Sequence, residues 1–280
     1  MDAPLPAAAA GTLTIGGDLT VNRLGFGAMR ITGAGIWGPP ADPVAARRVL
    51  QRAVELGVDF IDTADSYGPE VSERLIAEAL HPYPRGLVVA TKGGMVRPGA
   101  GEWVADGRPA HLRAACEASL KRLRLERIDL YQLHCIDPRV PLEDSIGELL
   151  RLQVEGKIRH LGVSNFRPPD LERARRLARI VSVQNRYNIA ERSPEVLAVC
   201  ERDSLAFIPW GPIGRAAANW ALRPVARAHG VERIAIALAW LLAKSPVMLP
   251  IPGTGCIEHL ERNVAAAALR LSAAELAQLE

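Results

Sequence analysis

HLRAACEASLKRLRLERIDLYQLHC, residues 111–135, holds one complete structural unit and decides the fold. Leu112, Ala115, Cys116, Ser119, Leu120 and Leu123 recur at three- and four-residue spacing, which keeps one small or apolar face on a helix. The run at residues 128–133 follows within a few residues as a short apolar strand that stops at His134. Outward from this unit the pattern repeats. Apolar runs of strand length occur at residues 24–29, 58–61, 87–91, 160–163, 181–184, 205–209 and 247–251, with helical stretches between them. Asp42-Pro43 and Ser193-Pro194-Glu195 mark two helix starts, each with a capping side chain followed by proline at the first helical position. Eight strands alternating with helices, without a composition break, predict parallel pairing and an α/β chain folded as a closed (β/α)8 barrel, one domain over residues 1–280. Residues 12–15 and 19–21 flank Gly16-Gly17-Asp18 and predict an N-terminal β-hairpin.

An open dinucleotide-binding sheet is the alternative, because Gly33, Gly35 and Gly38 satisfy G-x-G-x-x-G after the first strand. That fingerprint must open a helix directly, since the helix N-terminus holds the pyrophosphate. Pro39-Pro40 follow instead, so residues 33–40 are expected to form a mobile loop over a barrel mouth.

Composition narrows the function. The chain has 280 residues, 49% hydrophobic and 23% charged, which excludes a disordered chain. Thirty-four basic and 31 acidic side chains leave a formal charge of +3, with Arg spread along the chain, and nucleic acid is not suggested as a partner. Cys116, Cys135, Cys200 and Cys256 show no metal or redox spacing and read as reduced thiols. Residues 1–10 lack the basic region of a signal peptide, and the longest apolar run, residues 234–243, is too short to span a bilayer. A cytoplasmic protein without membrane contact is expected, and its oligomeric state is not written in the sequence.

In barrels the reactive groups lie at the C-terminal ends of strands. The second strand ends in Asp62, with Tyr67 five residues on in DTADSYG; the third ends in Lys92 of ATKGG and the fourth in His134 of YQLHC. Their convergence on one rim suggests acid–base work on a carbonyl. A neighbouring Lys92 ammonium is expected to lower the Tyr67 pKa so that the phenol can donate a proton, Asp62 to balance Lys92, and His134 to hydrogen-bond the substrate oxygen.

These residues and their spacing resemble the aldo-keto reductase family, from RLGFGAM at Arg23 through GVSNF at Gly162 to IPGT at Ile251. The resemblance implies that Asp62, Tyr67, Lys92 and His134 form a catalytic tetrad, with hydride coming from a reduced nicotinamide and the proton from Tyr67. It also implies that Ser164, Asn165 and Gln184 bond the nicotinamide carboxamide, and that Trp210 stacks on the nicotinamide ring. Gly211, Pro212, Ile213, Gly214 and Arg215 would embrace the pyrophosphate, and Gly253, Thr254, Gly255, His259, Arg262 and Asn263 the adenosine end. NADPH is expected, but His259 stands where the family usually has an arginine for a 2′-phosphate, which weakens a strict preference and leaves NADH as the alternative. Met29, Trp37 and Trp103 are expected in the substrate pocket, with Trp220 also a candidate for it. The helix announced by Ser272-Ala-Ala-Glu275 is followed by no long C-terminal loop before Glu280, from which an open, permissive site is expected. GIWGPP, YGP and VQNRYNIA are similar to a bacterial subgroup that includes pyridoxal reductases, which makes pyridoxal a candidate among small carbonyl substrates. Two other readings stay open: a redox-sensing subunit that holds the cofactor with little turnover, and a barrel enzyme that uses Lys92 as a Schiff-base amine.

Overall fold

The computed structural model describes residues 5–280, so residues 1–4 of the stretch read for a signal peptide lie outside the described residues. A hairpin of β1 (Thr12–Ile15) and β2 (Leu19–Asn22) precedes the barrel, as expected. The main succession is β3 (Phe26–Gly27), α1 (Pro43–Glu55), β4 (Phe60–Asp62), α2 (Val71–Leu80) and β5 (Val88–Gly93). A small antiparallel pair, β6 (Met95–Val96) and β7 (Val104–Ala105), interrupts it before α3 (Pro109–Leu123) and β8 (Ile128–Leu133). The chain continues through α4 (Leu142–Val154), β9 (Ile158–Ser164), α5 (Pro168–Leu177), β10 (Ile180–Gln184), α6 (Pro194–Asp203) and β11 (Ala206–Phe207). Helices α7 (Arg223–His229), α8 (Arg233–Lys244), α9 (Ile257–Ala265) and α10 (Ala273–Gln278) follow.

Seven strands form one parallel sheet in the order β11-β10-β9-β8-β5-β4-β3. The eighth apolar run is not a regular strand, yet it closes the cylinder. Phe207 N donates to Val247 O and Leu249 N to Phe207 O, both at 2.9 Å. On the other side, Gly25 N reaches Pro250 O at 2.9 Å and Gly27 N reaches Pro252 O at 3.5 Å. Pro250 and Pro252 have no N–H to return, so this seam is bonded in one direction only. Close approach there needs glycine: a Cβ on Gly27 would lie 2.6 Å from Ile251 O, and one on Gly253 would lie 2.2 Å from Gly27 O.

Helix α3 buries Leu112, Ala115, Cys116, Ser119 and Leu123 against the sheet, the face read from its periodicity. Helix α8 is apolar nearly all round and is accordingly buried, and among the described residues no helix is long and apolar enough to cross a membrane. Asp42 caps α1 by accepting from Ala45 N at 2.9 Å. Ser193 makes no corresponding bond, so proline alone marks the start of α6. Ser272 and Glu275 complete a reciprocal capping box on α10.

Side chains alternate across a strand, so each strand end can be read two residues at a time. Phe60, Val88, Ala90 and Leu130 fill the barrel interior together with Ile15, Leu19 and Val21 of the hairpin, which stoppers the N-terminal end. One step further along the same inward faces stand Asp62, Lys92, Gln132 and Gln184, all buried. The interior therefore changes from apolar to polar toward the C-terminal rim.

The loop at residues 33–40, expected to be mobile, is tied down. Gly33 N bonds Gly38 O at 2.9 Å, Gly38 N bonds Gly68 O at 2.7 Å, and Arg97 Nη1 donates to Ile36 O at 2.9 Å.

Candidate active site

Strands β4, β5 and β8 bring the four rim residues together. Lys92 is completely buried, and its ammonium has three protons and three acceptors: Asp62 Oδ2 at 2.7 Å, Thr63 O at 2.8 Å and Tyr67 Oη at 3.3 Å. Asp62 is in turn held from the other side, where Oδ1 accepts from Gln184 Nε2 at 2.7 Å and Gln132 Nε2 at 3.3 Å. A buried cation with every proton matched stays charged. Burial pulls the Lys92 pKa down, but Asp62 and Tyr67 push it up further, and the balance is upward. That saturation argues against Lys92 as a free amine for Schiff-base chemistry.

The phenol differs from expectation. Burial raises the Tyr67 pKa, and the downward pull of Lys92 does not overcome it. A raised pKa suits a proton donor, which must hold its proton at neutral pH, and the neighbouring ammonium is placed to stabilise a phenolate. His134 is 7% exposed, with Nδ1 3.4 Å from Ser66 Oγ. Burial first, and then the charge on Lys92, hold its pKa well below the usual histidine range, so the imidazole is neutral and offers a hydrogen bond without a charge.

Above this group opens a cavity of about 970 Å³. Asp62, Tyr67 and His134 form its floor, with Met29, Met95 and Trp103 to one side and Ser164, Gln184 and Trp210 to the other. Asn165 adopts a left-handed conformation (φ 62°) and spends its amide within the rim. Its Nδ2 donates to His134 O at 3.0 Å and Ser164 Oγ at 3.1 Å, and its Oδ1 accepts from Trp210 Nε1 at 3.0 Å. Gln184 commits only Nε2, to Asp62. Arg186 lies over the Trp210 ring, 5.3 Å from its centroid, and pairs with Glu191 at 2.9 Å.

Gly211, Pro212, Ile213, Gly214 and Arg215 line the same cavity. The N–H groups of Gly211, Ile213 and Arg215 donate to no group among the described residues, and Gly211 (φ 61°) and Gly214 (φ 49°) turn the backbone as only glycine does readily. Unspent donors beside the Arg215 guanidinium fit a pyrophosphate. Asn188 buttresses the loop, its Nδ2 donating to Gly211 O at 3.1 Å; a Cβ on Gly214 would strike that amide at 2.7 Å.

A second cavity of about 370 Å³ shares Ile213 and Gly253 with the first and adds Thr254, His259, Arg262 and Asn263. Arg262 is already engaged, by the Glu232 carboxylate and by Glu258 O at 3.1 Å. Gly255 lines neither cavity, and Trp37 and Trp220 also stand outside them. Trp37 lies against Arg97, and Trp220 is 70% exposed. The joined cavities thus suit an elongated ligand with a flat amide head, a diphosphate middle and an aromatic base. A nicotinamide dinucleotide has those three parts.

Sequence reasoning missed Gln132, Thr63, Ser66 and Arg97. Gln132 had a readable signal, because Leu130, Gln132 and His134 share one face of an alternating strand that points toward the rim. Thr63 acts through its carbonyl, and Arg97 through contacts across three loops, which no local pattern reports.

The profile of the aldo/keto reductase family matches residues 23–280. An uncharacterized oxidoreductase of Schizosaccharomyces pombe is 49% identical over 278 residues, covering 98% of this chain and 90% of that protein. Pyridoxine 4-dehydrogenase of Escherichia coli is 40% identical over 278 residues, covering 96% and 97%. Among solved structures, an aldo-keto reductase from Klebsiella pneumoniae in complex with NADPH superposes with a TM-score of 0.82 at 28% identity, over 96% of this chain and 93% of that one. With a barrel, a rim of four titratable groups and a two-part cavity in agreement, the chain belongs to the aldo/keto reductase family and is an NAD(P)H-dependent oxidoreductase.

Proposed function

We propose that the chain reversibly reduces a small aldehyde or ketone to its alcohol, with Tyr67 as the proton donor. One observation carries this: Tyr67 Oη, at the floor of the cavity, lies 3.3 Å from the Lys92 ammonium, which Asp62 holds at 2.7 Å. The bound nicotinamide supplies the hydride. Tyr67 gives its proton to the carbonyl oxygen, Lys92 stabilises the phenolate left behind, and neutral His134 orients the oxygen by a hydrogen bond. Ser164 and Gln184 fit the carboxamide, with Asn165 left only a second lone pair on Oδ1 to offer it, Trp210 fits the ring, the Gly211–Arg215 turn the pyrophosphate, and Thr254, His259, Arg262 and Asn263 the adenosine end. NADPH is the preferred cofactor in this reading, supported by the Klebsiella complex, with NADH the alternative because His259 stands where an arginine is expected and Arg262 is shared with Glu232. Pyridoxal is the substrate candidate, supported by the relative named pyridoxine 4-dehydrogenase and by the flat Trp103 wall. A cytoplasmic setting suits four free cysteines, two of them buried.

The test is oxidation of NADPH and NADH by an aldehyde panel that includes pyridoxal, comparing wild type with Tyr67→Phe. Loss of turnover by a factor of about 10² to 10⁴ with cofactor binding retained is the expected result. Tight cofactor binding without turnover in the wild type would favour the redox-sensing subunit instead.

A further inference from the structure

Arg97 follows β6 and stands behind the cavity wall. It is 7% exposed and does not line the cavity. Its guanidinium binds main-chain oxygens from three separate loops: Nε donates to Glu102 O at 2.7 Å, Nη1 to Ile36 O at 2.9 Å and to Ser66 O at 3.4 Å, and Nη2 to Gly35 O at 3.4 Å. Two of those oxygens belong to the loop after β3, one to the residue before Tyr67, and one to the residue before Trp103. The same group lies over two indoles, 3.7 Å from the Trp103 ring centroid and 5.5 Å from that of Trp37. Trp103 is 38% exposed, lines the cavity and meets Tyr67 edge to face, with centroids 6.4 Å apart at 78°.

Each contact constrains a different freedom. The bond to Glu102 O closes the loop that carries Trp103, the bond to Ser66 O joins that loop to the turn carrying Tyr67, and the stack on Trp103 fixes the tilt of its ring. A planar fork is required, because a lysine ammonium supplies neither the stacking face nor donors in four directions. We propose that Arg97 is a positioning residue that sets the distance and tilt of the Trp103 wall relative to Tyr67, and so selects flat aromatic aldehydes over small aliphatic ones. This rests on the reductase reading above. A two- or three-carbon aldehyde reaches Tyr67 without touching the wall, whereas an aromatic aldehyde needs it to hold the ring while the carbonyl is aligned.

The experiment compares 4-nitrobenzaldehyde with propanal as substrates of the NADPH-loaded enzyme in wild type, Arg97→Met, Arg97→Lys, Trp103→Leu and the Arg97→Met/Trp103→Leu double variant. For Arg97→Met the KM for 4-nitrobenzaldehyde is expected to rise on the order of tenfold with kcat changed by less than about twofold, while propanal kcat/KM and NADPH affinity stay within about threefold. Arg97→Lys should show the same split, since charge without the fork does not hold the ring. Trp103→Leu should lose aromatic affinity to a similar degree, and the double variant should be no worse than either single one. Should Arg97→Met fail to fold, Arg97→Lys and Trp103→Leu carry the comparison. Equal losses on both aldehydes, multiplying effects in the double variant, or full recovery in Arg97→Lys would each overturn the assignment. Wild type inactive on both aldehydes with NADPH and with NADH would refute the reductase reading and this one with it; wild type active with every variant unchanged would refute only the role of Arg97.

Discussion

Replacing Asp62 by Asn removes one charge without changing shape, and its cost follows from how Asp62 is held. The carboxylate accepts on both sides, from Lys92 Nζ on Oδ2 and from Gln184 and Gln132 on Oδ1. An amide has one acceptor oxygen and one donor nitrogen, so either orientation sets an N–H against a donor. Lys92, completely buried, then loses its counter-charge in both orientations, and in the one that turns the amide nitrogen toward it keeps only Thr63 O and Tyr67 Oη as acceptors. Breaking one side of a buried pair costs about 3–5 kcal/mol. The ceiling is the cost of shedding the Lys92 proton instead. For a lysine with a free pKa of about 10.4, that is about 4.6 kcal/mol at pH 7 and about 1.9 kcal/mol at pH 9. In the wild type the Lys92 pKa is raised, so its stabilisation is fully present below the unfolded lysine pKa and is lost only as pH climbs through the folded one. Where shedding is the cheaper course, as it is by pH 9, the folded Asp62→Asn chain binds one proton fewer than the unfolded chain, and the variant gains stability toward pH 9 by up to about 1.4 kcal/mol per pH unit. Urea unfolding of both proteins at pH 7, 8 and 9 reads this directly. A destabilisation of less than about 1 kcal/mol at pH 7, or one that stays flat to pH 9, would refute the reasoning.

Three further outcomes follow from the site and from the barrel seam. Because His134 is held neutral, kcat/KM for reduction should show no break near pH 6.5. The unfolded chain alone takes up a proton at this residue below about pH 6.5, so between pH 7 and 5.5 the wild type should lose about 1.4 kcal/mol that His134→Gln does not lose; equal losses in urea unfolding would contradict this. Gly27→Ala places a methyl 2.6 Å from Ile251 O at the barrel seam, and neither backbone can give way, so unfolding free energy should fall by about 2 kcal/mol or more; a melting temperature within a degree of wild type would show that the seam is slack.

The fold was legible wherever periodicity is the signal. The run at 128–133 became β8 without adjustment, and the Leu112–Leu123 face became the buried side of α3, because alternation and helical spacing are local. The run at 247–251 reads as a strand and closes the barrel as one, but its prolines remove the donors that a regular ladder needs. At the site, residue types at strand ends were enough to nominate Asp62, Tyr67, Lys92 and His134, and the structure brings them together. The direction of the Tyr67 pKa was not legible. It depends on how much solvent reaches the phenol, a sum over every residue packed around it rather than a property of its partner. Arg97 was missed for a related reason: its acceptors are carbonyls on three loops, and any residue has a carbonyl.

The hairpin at the barrel's N-terminal end also governs traffic. Ile15, Leu19 and Val21 seal that end against Phe60, Val88 and Leu130, and Asp18 pins the seal through His160 Nε2 at 2.6 Å and Arg159 Nη2 at 2.8 Å. Apolar side chains close the barrel beneath Lys92, so in the proposed reaction a proton returning to Tyr67 finds no open back entrance. It must come through the mouth that the alcohol vacates, which makes reloading the acid and releasing the product successive uses of one doorway.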